Sequence, residues 1–120
     1  MDRKTAKELL HIRDWLSHAA QIVDGGQVAY NSSMLAQEAG DSLLMKLGEA
    51  CRRLDHMGFT EPSGVNLADA IATRNWVIHR YDNIDRDLTW HTLATNLPQW
   101  QAAFASLFTE AEAALRICVD

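Results

Sequence analysis

Apolar residues recur at steps of three and four along most of this chain, which is the spacing of one face of an α-helix. The first such stretch runs from about Asp2 to Val23, and Gly25-Gly26 predicts where that helix ends. A second helix is predicted from about Gln27 to Met57, with Gly58 after it. The apolar positions of the first helix are Leu9, Ile12, Leu16, Ala19 and Val23, and those of the second are Ala36, Ala39, Leu43, Leu47, Ala50 and Leu54. Both apolar faces are narrow, as expected for packing in a bundle.

The second half of the chain continues the helical pattern after a loop over residues 59–64. Asn66 is the predicted N-cap of a helix with the inward positions Leu67, Ala70, Ile71, Arg74, Val77 and Ile78. Asp87 is predicted to cap a short helix that continues through Thr95, and Asn96 to cap the last helix. The inward positions of that last helix are Leu97, Gln101, Phe104, Phe108, Ala111, Leu115 and Cys118. We therefore predict an all-α fold, a single domain over residues 1–120 that forms an antiparallel up-and-down bundle of four to five helices.

Arg74 is the charged exception on an otherwise apolar helix face. Burying a guanidinium is costly unless a carboxylate, a phosphate or water contacts it. Two interpretations are open. Arg74 is either a functional residue that binds an anion, or a structural residue that pairs inside the bundle with Asp69, Asp82 or Glu49. His79 follows five residues later, about 140° further round the helix axis, and Tyr81 comes two residues after it.

Residues 74–81 read R-x-x-x-x-H-x-Y, and this motif resembles the signature of HEPN domains. The similarity is specifically to the HepT-like toxins that are paired with minimal nucleotidyltransferase antitoxins. Residues 47–50, residues 81–90 and Leu97-Pro98 are similar to the second helix of that family, to the loop and tryptophan after the motif, and to the start of its last helix. The resemblance covers roughly residues 5–117, although only the R-x-x-x-x-H-x-Y motif is specific. Position 80 is Arg80, where the commonest form of the motif has glycine.

The resemblance implies a HEPN-like homodimer in which two motif segments face each other across a composite cleft. It implies a metal-independent endoribonuclease, the toxin of a type II-like toxin–antitoxin system, which acts on RNA and is not expected to act on DNA. Arg74 and His79 would be catalytic, and Asn75 and Arg80 would support them. A cognate minimal nucleotidyltransferase antitoxin would neutralise the toxin by attaching AMP to Tyr81. No cofactor and no metal ion are implied.

The chemistry of these residue types suits RNA cleavage. An imidazole that titrates near neutrality, such as His79, can take the 2′-hydroxyl proton or protonate the leaving oxygen. A guanidinium such as Arg74 can donate paired N–H groups where the phosphorane gathers negative charge.

The alternative is a non-catalytic HEPN adaptor that binds a nucleotidyltransferase partner or a nucleotide. Trp76, about 90° from the apolar face, is predicted to face outward and to anchor a dimer interface in preference to stacking on RNA.

Composition narrows the function classes. Eleven basic and sixteen acidic residues give a net charge of −5, which argues against a broad electrostatic grip on nucleic acid and favours a small basic cleft. No run of about 18 apolar residues and no signal-peptide core is present, so we expect a cytoplasmic protein without membrane association. Cys51 and Cys118 have no paired spacing and are predicted to be reduced thiols, and the five histidines form no metal-binding pattern.

Overall fold

The computed structural model describes residues 1–79 and 83–117, apart from the side chains of His79 and Ile117. Along the chain lie α1 (Arg3–Asp24), α2 (Gln27–Ser32), α3 (Met34–His56), α4 (Leu67–His79), α5 (Arg86–His91), a π-helical segment (Thr92–Asn96) and α6 (Leu97–Ile117). The described part of the chain contains no β-strand. This confirms the predicted all-α fold class.

Helix α3 lies between α1 and α4, and α1 also packs against α6. Leu44 of α3 borders Thr73 and Trp76, whereas Gly48, one turn later in α3, faces Ala70 and Arg74 of α4. The two helices are therefore antiparallel. The core between these helices is built mainly from leucines and aromatic residues, and its largest fully buried side chains include Tyr30, Phe104, Leu9, Ile12, Leu16, Leu47, Leu54 and Leu93.

The first helix follows the sequence prediction closely. The predicted positions Leu9, Ile12, Leu16 and Ala19 are all buried. Asp2 caps the helix, because its Oδ1 accepts a hydrogen bond from the Thr5 amide at 2.9 Å. Hydrogen bonding from Thr5 holds the pKa of the Asp2 carboxyl below its ordinary value, as is usual for a carboxylate at a helix N-terminus.

The predicted second helix is wrong as a single element, because the chain breaks at Ser33. That residue has extended backbone angles (φ −119°, ψ 110°), and its Oγ accepts a hydrogen bond from the Ala36 amide. A serine hydroxyl can replace a backbone acceptor in this way, which favours a cap over a helix interior. The break lets α2 bury the ring of Tyr30, while Ala39, a predicted inward position, is exposed.

The predicted caps after the motif also need correction. Asp85 caps α5, since its Oδ1 accepts hydrogen bonds from the amides of Asp87 and Leu88, so Asp87 is not the cap. Asn96 does not start a separate helix, because the π-helical segment joins α5 to α6 without a break. A π-helical turn at this position is explained by Pro98, which has no N–H and whose ring would clash with the carbonyl of residue 94 in a regular α-helix. Gln101 on α6 is exposed and does not belong to the core.

The start of α4 agrees with the prediction. Oδ1 of Asn66 accepts a hydrogen bond from the Ala68 amide at 3.0 Å, and Glu61 accepts one from the Leu67 amide at 2.7 Å. These two side chains satisfy amide groups that the first turn of a helix leaves without partners. Among the helices described, none combines the length and the hydropathy that crossing a membrane requires.

Candidate functional site

Helices α3 and α4 approach each other closely at Gly48. A β-carbon placed on Gly48 would lie 2.7 Å from the carbonyl oxygen of Ala70 and 3.2 Å from Cγ of Arg74, with Cβ of Arg74 closer still. Contacts of this kind leave no room for any side chain. The absent side chain of Gly48 therefore brings the middle of α3 against the turn of α4 that carries Arg74.

Arg74 is held by acidic and amide oxygens beside this contact. Its Nε lies 2.6 Å from Oε2 of Glu49, and its Nη1 donates to Oδ1 of Asn75 at 2.9 Å. Oε2 of Glu49 is buried and has no aligned hydrogen-bond donor among the described residues, so the short contact with Arg74 acts as a charge–charge attraction. Of the partners that the sequence left open for Arg74, the structure shows Glu49 in contact with it, and Asp82 lies outside the described residues.

A second arginine contacts the same carboxylate. Nη1 of Arg52 lies 4.0 Å from Oε1 of Glu49, one turn along α3. Two guanidinium groups thus flank one carboxylate, and the cluster of Glu49, Arg52 and Arg74 carries a net positive charge. The side chain of Arg74 keeps 24% of its surface exposed, so part of its guanidinium can be reached from solvent.

The structure locates only part of the motif. Arg74 and Asn75 are brought together by a hydrogen bond, and the backbone of His79 forms the last residue of α4. Arg80 and Tyr81 lie outside the described residues, as does the side chain of His79. The predicted roles of these three side chains remain predictions.

Trp76 does not face outward as predicted. Its ring is partly buried and packs against the core, and it lines a cleft of about 390 Å³ between α4 and α5. Leu88 and Thr92 form the opposite wall of that cleft, and Asp69 and Thr73 line it from α4. Leu88 of α5 lies across this cleft from a face of α4 for which the sequence predicted no partner.

A network of buried and partly buried polar groups lies near the start of α3, and no sequence pattern predicts it. Arg86 donates to both carboxylate oxygens of Asp41, at 2.8 and 3.0 Å, and its Nη1 lies 3.4 Å from the hydroxyl of Tyr30. That hydroxyl shares a 2.5 Å hydrogen bond with the buried hydroxyl of Thr89. The bonds to Asp41 raise the pKa of the Arg86 guanidinium above its ordinary value. Because the paired residues are 45 to 59 positions apart in sequence, no short sequence motif predicts their contacts.

The thiol and the possible metal ligands within the described residues do not form a second site. Cys51 is a buried free thiol, and burial raises its pKa to about 12, so it stays protonated and unreactive at neutral pH. Cys118 lies outside the described residues. Within residues 1–79 and 83–117, no three His, Cys, Asp or Glu side chains come together in a way that could hold a metal ion.

The chain matches a family model described as "Ribonuclease HepT-like" over residues 7–107. No curated protein and no solved structure matches it. The family match spans the elements from α1 into α6 and includes both Gly48 and the complete R-x-x-x-x-H-x-Y segment.

Proposed function

The chain belongs to the HepT-like ribonuclease family, and from this membership we propose that it is a metal-independent endoribonuclease, the toxin of a HEPN toxin–antitoxin pair. The observation that carries the proposal is the placement of Arg74 on the motif helix, held by Glu49 yet partly exposed. A guanidinium has five N–H donors, and the contacts with Glu49 and Asn75 engage only two of its three nitrogens. The remaining donors can bind a phosphate oxygen of RNA.

The electrostatics of the cluster favour such an anion. Arg74 and Arg52 share the single carboxylate of Glu49, which leaves local positive charge in a protein whose net charge is −5. Local charge of this kind can bind one or two phosphates without a broad nucleic-acid surface. We expect weak, salt-sensitive RNA binding and a contribution from Arg74 that is largest when the phosphorane carries its extra negative charge.

His79 is the proposed acid–base residue. In the proposed step a histidine takes the proton of the 2′-hydroxyl, the 2′-oxygen bonds to phosphorus, and the bond from phosphorus to the 5′-oxygen breaks. A histidine then gives a proton to the departing 5′-oxygen. The products are a 2′,3′-cyclic phosphate and a 5′-hydroxyl, and the proton count is unchanged. In a dimer, one His79 would act as the base and the other as the acid.

A homodimer is proposed from an exposed apolar surface on α2 and the start of α3. Val28, Met34 and Leu35 are 83%, 74% and 79% exposed, although they lie within eight residues of one another. Large apolar side chains exposed together commonly mark an interaction surface. Because α3 and α4 are antiparallel, the start of α3 lies at the same end of the bundle as His79. This surface replaces Trp76 as the proposed dimer contact.

A minimal nucleotidyltransferase is the proposed antitoxin, and Tyr81 is the proposed acceptor of AMP. A phenol hydroxyl can attack the α-phosphorus of ATP, so that AMP is transferred to oxygen and pyrophosphate leaves. A bulky anion two residues from His79 would block the approach of RNA phosphates. Co-expression with the partner should add one AMP to the intact mass of the wild-type protein and none to Tyr81→Phe.

The deciding experiment compares Arg74→Ala, Arg74→Lys and His79→Ala with the control Arg13→Ala. Arg13 is also a partly exposed helix arginine in an inter-helix ion pair, with Glu112, and no residue of the motif takes part in that pair. We expect RNA cleavage in the presence of EDTA to be lost in Arg74→Ala and His79→Ala, strongly reduced in Arg74→Lys, and retained in Arg13→Ala. Cleavage that persists in both alanine variants would refute the assignment.

The adaptor alternative is favoured by one observation, since Glu49 already compensates the charge of Arg74 within the protomer. Under that alternative, purified wild-type protein never cleaves RNA, and Arg74→Ala changes stability or partner binding only. Analysis of the chemical groups at the ends of the RNA products tests the ribonuclease proposal further. Ends with a 2′,3′-cyclic phosphate support the proposed step, whereas 3′-hydroxyl ends contradict it.

The dimer is tested by light scattering with Leu35→Asp and the control Met57→Asp. Met57 is 41% exposed but lies at the opposite end of α3. We expect Leu35→Asp to be a folded monomer without nuclease activity and Met57→Asp to remain an active dimer. A dimer that is unaffected by Leu35→Asp would place the interface elsewhere.

A further inference from the structure

The Asp41–Arg86 pair connects two parts of the chain that flank the motif. Asp41 belongs to α3, which packs against the motif helix, and Arg86 is the first residue of α5, the next helix after the motif. Only residues 80–85 separate the end of α4 from the start of α5. The pair therefore fixes the position of the first residue of the helix that follows the motif.

Helix register places this pair beside the end of α4. Gly48 of α3 faces α4 between Ala70 and Arg74, that is, at about the level of residue 72. Both helices rise by the same distance per residue and they run in opposite directions. Asp41, seven residues before Gly48, then lies at about the level of residue 79, the last residue of α4.

The geometry of the pair defines orientation as well as distance. Two parallel hydrogen bonds of 2.8 and 3.0 Å fix the plane of the guanidinium relative to the carboxylate. The Tyr30 hydroxyl contacts Arg86 and Thr89 together, and Thr89 is 1% exposed, so the first turn of α5 is tied to α2 as well as to α3. A mobile surface pair would not have these additional partners.

We propose that Asp41 and Arg86 are positioning residues for the reaction, which hold the start of α5 against α3 at the level of His79 and thereby set the geometry of the motif segment. The inference rests on the proposed ribonuclease function. Neither side chain is proposed to contact RNA or to transfer a proton. The effect of the pair is on the alignment of groups that do, where a misplacement of about 1 Å is enough to slow a reaction by up to about a hundredfold.

The test compares Arg86→Gln with Arg53→Gln. Arg53 forms a bidentate pair of nearly the same geometry with Glu8, at 2.8 and 3.1 Å, but it joins α1 to α3 and hydrogen-bonds no described residue of the motif. We expect both variants to fold, and Arg86→Gln to lose the larger amount of thermal stability because it also gives up the contact with the Tyr30 hydroxyl. Arg86→Gln should lower kcat by about tenfold or more with KM within about twofold of wild type, whereas Arg53→Gln should keep both values.

Hydrogen exchange gives a readout that does not depend on nuclease activity. Arg86→Gln should accelerate amide exchange in peptides covering residues 79–90 and leave the remainder of the chain unchanged. The double variant Asp41→Asn with Arg86→Gln should lose no more activity than Arg86→Gln, since the two side chains act as a unit.

Two results would overturn the inference. The first is a kcat and an exchange pattern for Arg86→Gln that match those of Arg53→Gln, and the second is faster exchange spread evenly over the whole chain. If the wild-type protein does not cleave RNA at all, the proposed function fails. Hydrogen exchange in that case still shows whether the pair fixes the segment around residue 86.

Discussion

Replacing Gly48 with alanine is the sharpest steric perturbation that the structure offers. The new β-carbon would lie 2.7 Å from the carbonyl oxygen of Ala70, whereas ordinary contact begins at 3.4 Å. Helices α3 and α4 must therefore separate by at least 0.7 Å at this point. The backbone carbonyl cannot rotate away, and Cβ of Arg74, the other close neighbour, is fixed to its own helix.

The expected loss of stability combines two opposing terms. Overpacking a close interface costs about 1–3 kcal/mol, and the rigidity of these neighbours places Gly48→Ala near the upper end of that range. Alanine returns about 1 kcal/mol through its higher helix propensity. We expect a net destabilisation of about 2 kcal/mol, which is a decrease of about 8 °C in the Tm of a domain of this size.

Urea unfolding and RNA cleavage measure the effect, and Gly40→Ala is the matched control. Gly40 also lies inside α3, but its closest contact for a new β-carbon is 3.0 Å to a terminal methyl of Leu93, which can rotate. We expect Gly40→Ala to change stability by less than about 1 kcal/mol. Gly48→Ala should also reduce cleavage, because separating the helices draws Arg74 away from Glu49.

A Gly48→Ala variant as stable as Gly40→Ala, with full activity, would refute this reasoning. It would mean that α3 and α4 adjust at this position without strain and that the close approach does not position Arg74. A loss of stability with full activity would refute only the second part, since the ion pair would then have followed the displaced helix.

Three further predictions follow from individual side chains. In a Cys118→Ser background, Cys51 should resist alkylation at pH 8 until the protein unfolds, because its pKa is raised to about 12. Asp2→Ala should speed amide exchange at the start of α1 at neutral pH, and this difference from wild type should vanish as the pH falls below 3.8 and through the lowered pKa of Asp2. Glu49→Gln should tighten RNA binding in a filter assay, by adding net positive charge, but lower kcat by loosening Arg74.

Sequence periodicity predicted the helices well where burial follows a single face. The inward positions of α1 and the cap at Asn66 needed only local rules. The errors occurred where local and tertiary effects compete. The apolar pattern predicts Ser33 inside a helix, although its hydroxyl caps the next helix. The pattern also predicts a helix start before Pro98, although a π-helical turn accommodates this proline. At each position, the predicted and the observed structure are equally compatible with the pattern of apolar residues.

The candidate site was predictable in type but not in its supporting contacts. The sequence indicates Arg74 because a charge on an apolar helix face requires a partner, and it offers Glu49 as one such partner. Choosing Glu49 required the register of α3 against α4, which depends on the close approach at Gly48. The Asp41–Arg86 pair joins residues 45 positions apart, and only the packed helices bring them together.

The pairing of Arg74 with Glu49 is compatible with both a structural and a functional role for Arg74. An unpaired guanidinium on this face would carry a desolvation penalty that Glu49 removes. The same carboxylate repels an approaching phosphate, so it weakens binding of the ground state. In the proposed step, the phosphorane oxygens carry more charge than the substrate phosphate and therefore bind the remaining N–H donors of Arg74 more strongly. A shared guanidinium therefore favours the transition state over the bound substrate, which is the distribution of affinity expected of a catalytic residue in an acidic protein.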